Sequence, residues 1–179
     1  MENSMMIRAA VFAAEKHKYQ RRKGFNQIPY INHPLKVAEL LIDCEEIDSD
    51  LLIASILHDV IEDTDVDESD ISEKFNSSIG KLVKEVSDNK DLPYTIRKEL
   101  QVKSAPNLSH NAKLIKIADK ICNIRDILNY PLDWSAERKL AYLDWAKQVV
   151  SGCKGLNEKL DQIFTKTLEK GINQLNKEL

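Results

Sequence analysis

Cysteine is scarce in this chain. Its three residues, Cys44, Cys122 and Cys153, are too few and too far apart for a zinc ribbon or a disulfide framework. A reducing cytoplasm is therefore expected, with Cys122 as a small buried thiol. Long apolar runs are missing too, and no stretch approaches the roughly 20 residues that cross a bilayer. The opening residues turn charged without a small-residue cleavage pattern, so no secretory signal is expected. An excess of positive charge is likewise absent: 26 Lys and Arg against 29 Asp and Glu leave a net −3. That balance argues against broad electrostatic binding to nucleic acid, and any anionic ligand must be met locally. Glycine and proline number five each and fall mostly between periodic segments, where they punctuate. No run alternates with period two between turn residues, which argues against a sheet.

What is present is helical periodicity in nearly every segment. Hydrophobic residues make up 42% and charged residues 31% of 179, the balance of a soluble globular protein of one domain, 1–179. Helices are predicted near 3–20, 34–43, 49–63, 69–75, 78–87, 93–103, 110–129, 134–151 and 156–169. Pro34 suits the first turn of a helix, which puts His33 at the helix mouth. Asp48, Ser49 and Asp50 offer caps before Leu51. Pro131 with Asp133 separates two long helices, and Gly152 and Gly155 precede the last. With no repeat, low-complexity tract or linker, the fold class is all-α, a single compact multi-helix bundle.

The chemistry concentrates in Leu57-His58-Asp59-Val60-Ile61-Glu62-Asp63. In a continuous helix Glu62 lies four residues after His58, and Asp63 four after Asp59, so the four side chains project from adjoining stripes. Carboxylates leave water only at considerable cost unless a cation or hydrogen bonds compensate. A divalent metal would do so, with the second doublet held close for proton handling. The bland alternative is a helix end entering the solvated acidic loop 64–70. Further ligands must come from other helices, and His33 is the first candidate. Asp119 is the second, on a stripe with Lys116, Asn123 and Asp126 beside the apolar Leu114, Ile117, Ala118 and Ile121. His17 and His110 read as solvated. Arg21-Arg22-Lys23 at the end of the first helix complement its dipole, and the loop that follows can carry them to the same cleft to meet a base or phosphate. Tyr142 and Trp145 are spaced like core residues, and Tyr30 lies near the loop.

In order, Ala13-Ala14-Glu15-Lys16-His17, Arg21-Arg22-Lys23, Pro29-Tyr30-Ile31-Asn32-His33-Pro34, His58-Asp59-Val60-Ile61-Glu62-Asp63-Thr64, Lys116-Ile117-Ala118-Asp119-Lys120 with Asn123, and Trp145-Ala146-Lys147-Gln148-Val149-Val150 resemble the HD-domain hydrolases. Within them the chain is similar to the small alarmone hydrolases related to the hydrolase half of RelA/SpoT enzymes. The resemblance implies that His33, His58, Asp59 and Asp119 bind one divalent ion, usually Mn²⁺, and that Glu62 and Asp63 are the catalytic acids. The donor set by itself also accommodates iron or zinc. The implied substrate is guanosine carrying a 3′ pyrophosphate and a 5′ di- or triphosphate, cut to GDP or GTP plus pyrophosphate. Arg22 and Lys23 would contact guanine or phosphates, and Asn123 the ribose region. Tyr94, in a substrate-facing loop, departs from relatives that carry a basic residue there. Two readings compete: a phosphatase acting on another nucleotide such as NADPH, and a non-catalytic nucleotide-sensing module. Acid and base roles within the Glu62–Asp63 pair stay open, and so does oligomeric state, a homo-oligomer included.

Overall fold

The element nearest the centre is the one whose sequence is apolar all round. In the computed structural model, which describes residues 2–24, 26–46 and 48–179, α3 spans Ser49–Leu57 and buries every residue from Leu51 to Leu57. Asp48 caps it by accepting from the Leu51 N–H at 2.7 Å, a bond worth about 1 kcal/mol. α1 (Glu2–Lys16) and α2 (Asn32–Asp43) pack on α3, as does α6 (Ser77–Val86). α5 (Glu68–Lys74) packs on α6 and starts with a capping box between Asp67 and Asp70. The second central element is α8 (His110–Asn129), which buries twelve residues, Lys116, Asp119 and Lys120 among them. It contacts α2, α6, α9 (Ala136–Ser151) and α10 (Glu158–Leu175). α7 (Tyr94–Ser104) buries none of its residues and leans on α9 before a short 3₁₀ turn at Ala105–Asn107.

The described residues contain no strand, only an isolated bridge between Arg21 and Pro29, so the all-α expectation holds. Buried apolar side chains from α1, α2, α3, α6, α8, α9 and α10 form one contiguous cluster. Among the described residues no helix is long and apolar enough to cross a membrane. The three cysteines are free and buried, and burial pushes the Cys122 thiol up to about 12.

Three departures from the predicted elements bear on the site. The helix expected over 49–63 is two: α3 stops at Leu57 and α4 spans Val60–Asp63. Asp59 stands between them at φ −98°, ψ −5°, in the sparsely allowed region between helix and strand. The first helix ends at Lys16 rather than at residue 20. Its successor is a loop closed by Arg22 N–H to Ile28 O (2.9 Å) and Tyr30 N–H to Gln20 O (3.1 Å). Arg21, Arg22 and Lys23 therefore ride on this loop and not on a helix end. Gly24 turns it at φ +126°, where a Cβ would sit 2.9 Å from Pro131 O, so the position demands glycine twice over. The last helix runs to Leu175, six residues past the predicted end.

Candidate metal centre and cleft

The break at His58 and Asp59 decides where the doublet points. His58 Nδ1 donates to Ser55 O at 2.7 Å, which orients the ring so that Nε2 points into the chamber. That Nε2 is buried and has no hydrogen-bond partner. It faces Asp59 Oδ2 at 3.1 Å and Asp119 Oδ1 at 3.9 Å. His33, placed at the start of α2 by the Pro34 turn, brings its Nε2 to 3.1 Å from Asp119 Oδ1 and 3.7 Å from Asp59 Oδ2. Ligand atoms of His33, His58 and Asp119 all lie within 4.8 Å of one another, in a grouping that can hold a metal ion. Two imidazole nitrogens, carboxylate oxygens and an orphaned buried Nε2 suit a borderline divalent cation. A polar chamber of about 140 Å³ lies at this point.

The carboxylates are held from outside. Tyr30 Oη donates to Asp59 Oδ2 at 2.7 Å. Asn123 Nδ2 donates to Asp119 Oδ1 at 2.5 Å, and its own Oδ1 accepts from Arg22 Nη2 at 2.6 Å. Lys120, almost wholly buried, pairs with Asp119 Oδ2 at 2.8 Å. Burial alone would raise Asp119, but the Lys120 ammonium overrides it and keeps the carboxyl well below the usual range. Burial also lowers His33. For His58 burial is outweighed by the Asp59 carboxylate, and its value rises to about 9.

Beside the chamber, and sharing Arg22, Tyr30, Asp59, Glu62 and Asn123 with it, is a cleft of about 410 Å³. Glu62 and Asp63 stand on its wall. Glu62 Oε1 accepts from Arg97 Nη1 at 3.1 Å and Oε2 from the Asp88 N–H at 3.2 Å. Burial, then the charges of Asp88 and Asp59, push its carboxyl upward. Asp63 accepts from Lys90 Nζ at 2.6 Å and from Gln20 Nε2 at 2.6 Å. Lys23 reaches the cleft over Trp134, its Nζ 5.9 Å from the ring centre.

All nine residues singled out in the sequence line the chamber or the cleft. His110 is exposed as expected, whereas His17 is not: it is 2% exposed and stacks on Tyr30 at 4.9 Å. Its flanking lysines suggested solvent, but the helix end between them turns the ring inward. Tyr142 and Trp145 pack against the core yet also line the cleft, so the core reading of their spacing captured half their role. Tyr94 is the first residue of α7 rather than a loop residue, and it too faces the cleft. Lys90, Arg97, Lys120 and Gln20 went unremarked. Lys120 carried one signal, a cation next to Asp119 and four residues from Lys116, beside the apolar Ile117 and Ile121. Lys90 and Arg97 carried none, because their partners are 27 and 35 residues away.

Such a buried histidine–aspartate cluster, assembled from α2, the α3–α4 junction and α8, marks a class: residues 9–142 match the HD domain, and the chain belongs to that family. It is 43% identical over 175 residues to the Danio rerio guanosine-3′,5′-bis(diphosphate) 3′-pyrophosphohydrolase MESH1, covering 94% of this chain and 96% of that one. The Homo sapiens protein of the same name is 45% identical over 163 residues, covering 90% and 91%. A solved structure described as a metazoan ortholog of SpoT that hydrolyzes ppGpp superposes with a TM-score of 0.89 at 38% identity, over 93% of this chain and 94% of that one.

Proposed function

We propose that this chain is a Mn²⁺-dependent hydrolase that removes pyrophosphate from the 3′ oxygen of guanosine 3′,5′-bis(diphosphate), leaving GDP, or GTP from the 5′-triphosphate form. The observation that carries the reading is the shared wall between the buried His33–His58–Asp119 chamber and a cationic, aromatic cleft, in a chain that matches proteins named for this activity along nearly their whole length. His33, His58, Asp59 and Asp119 would hold the ion. When bound, it would polarise a phosphoryl oxygen and make water acidic enough to attack near neutral pH. The buried free thiols fit a cytoplasmic setting.

Water adds to the phosphorus bonded to the ribose 3′ oxygen, that P–O bond breaks, and the departing oxygen takes a proton. Glu62 and Asp63 handle the protons. Glu62 suits this work because its carboxyl is raised toward neutrality by burial and by Asp88. At rest each acid is paired with a cation, Glu62 with Arg97 and Asp63 with Lys90. Substrate phosphates attract the same two cations, so binding loosens both pairs and frees the carboxylates. Arg22 and Lys23 meet guanine or phosphate, and Asn123 faces the ribose region.

The deciding experiment is a steady-state assay on guanosine 3′,5′-bis(diphosphate), NADPH and simple nucleotides, with and without Mn²⁺. Pyrophosphate release from the first, dependent on Mn²⁺, is expected. Glu62→Gln with Asp63→Asn lowers kcat by at least about 10³-fold with an unchanged circular dichroism spectrum. Full activity in that variant, or phosphate released only from NADPH, overturns the reading.

A further inference from the structure

Beside Asp63 stands a pair of side chains that the chemistry above does not use, Gln20 on the cleft wall and His17 buried beneath it. Gln20 Nε2 donates to Asp63 Oδ2 at 2.6 Å, and His17 Nδ1 lies 2.7 Å from Gln20 Oε1. A ring nitrogen facing an amide oxygen must be the donor, so His17 carries its proton on Nδ1. His17 Nε2 is buried and without a partner, so Nδ1 makes the one hydrogen bond that orients the ring. With Oε1 turned to His17, the Gln20 amide has one orientation: its NH₂ faces Asp63. Flipped, it would set acceptor against acceptor at the carboxylate.

The two sides of Asp63 differ. Gln20 is half-buried and anchored by a ring that is 2% exposed, whereas Lys90 on Oδ1 is 48% exposed. One oxygen is thus pinned by the fold, and the other is paired with a long surface cation that a phosphate can displace. Burying His17 against Tyr30 at 4.9 Å also joins this chain to the Tyr30 hydroxyl that holds Asp59.

We propose that His17 and Gln20 are positioning residues for Asp63. His17 sets the orientation of the Gln20 amide, and Gln20 fixes the carboxylate so that Oδ1 faces the cleft. This rests on the proton-handling role given to Asp63 above. A carboxylate free to rotate spreads its oxygens over more than an ångström, and misplacement on that scale costs on the order of 100-fold.

The test uses the full Mn²⁺-loaded chain with guanosine 3′,5′-bis(diphosphate), comparing Gln20→Leu, His17→Leu and His17→Asn. The two leucine variants are expected to lose roughly 10- to 100-fold in kcat; KM stays within about twofold in His17→Leu, because His17 does not line the cleft, whereas Gln20 does. His17→Asn, whose Nδ2 takes the place of Nδ1, recovers most of the loss; a purely space-filling role would favour leucine over asparagine. The side-chain amide signals of Gln20 in ¹H–¹⁵N spectra read the same chain without catalysis. They are expected to move in both Asp63→Ala and His17→Leu. Unmoved Gln20 signals, wild-type kcat in Gln20→Leu, or equal loss in both His17 variants overturns the proposal. Wild-type protein that releases no pyrophosphate overturns instead the function it rests on, and the amide signals then decide by themselves whether Gln20 is fixed.

Discussion

At the scale of single residues, the centre is a set of charges that compensate one another before any cation arrives. His58 shows the consequence most directly. Burial disfavours its charged form, yet the Asp59 carboxylate at 3.1 Å wins and lifts it to about 9. A cation entering the metal-free protein must therefore displace that proton, whereas burial makes His33 readier to lose its own. If Mn²⁺ is the ion, its affinity is expected to rise with pH, about tenfold per unit, until it levels near 9. Calorimetric titration in buffers of different ionisation enthalpy is expected to find about one proton released at pH 7 and almost none above about pH 10. Equal release at both would show that His58 holds no such proton in the metal-free protein. Lys120 carries the second prediction. Its ammonium offsets Asp119 inside the protein, and a buried charge stripped of its partner costs about 3–5 kcal/mol. Lys120→Met should lose that much in urea unfolding of chelated protein, and clearly less with Mn²⁺ present, because a bound cation compensates Asp119 in its place.

At the scale of elements, periodicity located the helices because a 3.6-residue repeat is a local property, and it failed where packing overrode local preference. α8 was read at its observed bounds, 110–129, and in the structure the Ser109 side chain caps it by accepting from the Ala112 N–H. The His58–Asp59 break was invisible because no Gly or Pro marks it; in the structure His58 Nδ1 meets the Ser55 carbonyl there. The last helix was expected to end at 169, but it continues to Leu175, and at Gly171 a bare Cα lets α10 settle on Leu143 and Leu128; a Cβ would lie 2.7 and 3.2 Å from them. Of the nine candidate site residues, the His58–Asp59 and Glu62–Asp63 doublets stood out because carboxylates are costly to bury without a partner, and the family resemblance settled the rest of the set. The residues that restrain them were not legible, because hydrogen-bond partners across the fold leave no spacing to read. Gly80 tests this close-approach argument. On helix propensity alone Gly80→Ala gains about 1 kcal/mol. A Cβ there meets Ser72 Oγ at 2.1 Å and the Glu68 carbonyl oxygen at 2.9 Å, so α5 and α6 must part. Urea unfolding is expected to show a net loss of about 1–3 kcal/mol with an unchanged slope, and any stabilisation would refute the close fit.

At the scale of the whole molecule, one ion would tie together parts of the chain that the apolar core leaves adjacent but unjoined at the chamber. His33 begins α2, His58 ends the central α3, and Asp119 sits midway along α8, so their ligand atoms meet only when all three helices are packed. The unfolded chain has no such site, because the three are separated by 25 and 61 residues. Binding free energy is then folding free energy: at Mn²⁺ a hundredfold above its dissociation constant the folded state gains about 2.7 kcal/mol. For a chain of this length that is roughly 5–10 °C in melting temperature. The apolar cluster does not depend on the ion, so metal-free protein keeps its helical content. Adding EDTA should therefore lower the melting temperature by that amount with little change in far-ultraviolet circular dichroism at 25 °C. Asp119→Asn should abolish the difference between chelated and loaded protein, since it removes a ligand charge from the chamber without removing volume. Asp144→Asn, on the exposed face of α9, should leave the difference intact. A wild-type melting temperature indifferent to Mn²⁺ and EDTA would mean that the three helices converge on a polar cavity with no ion to hold, and the proposed chemistry would fall with it.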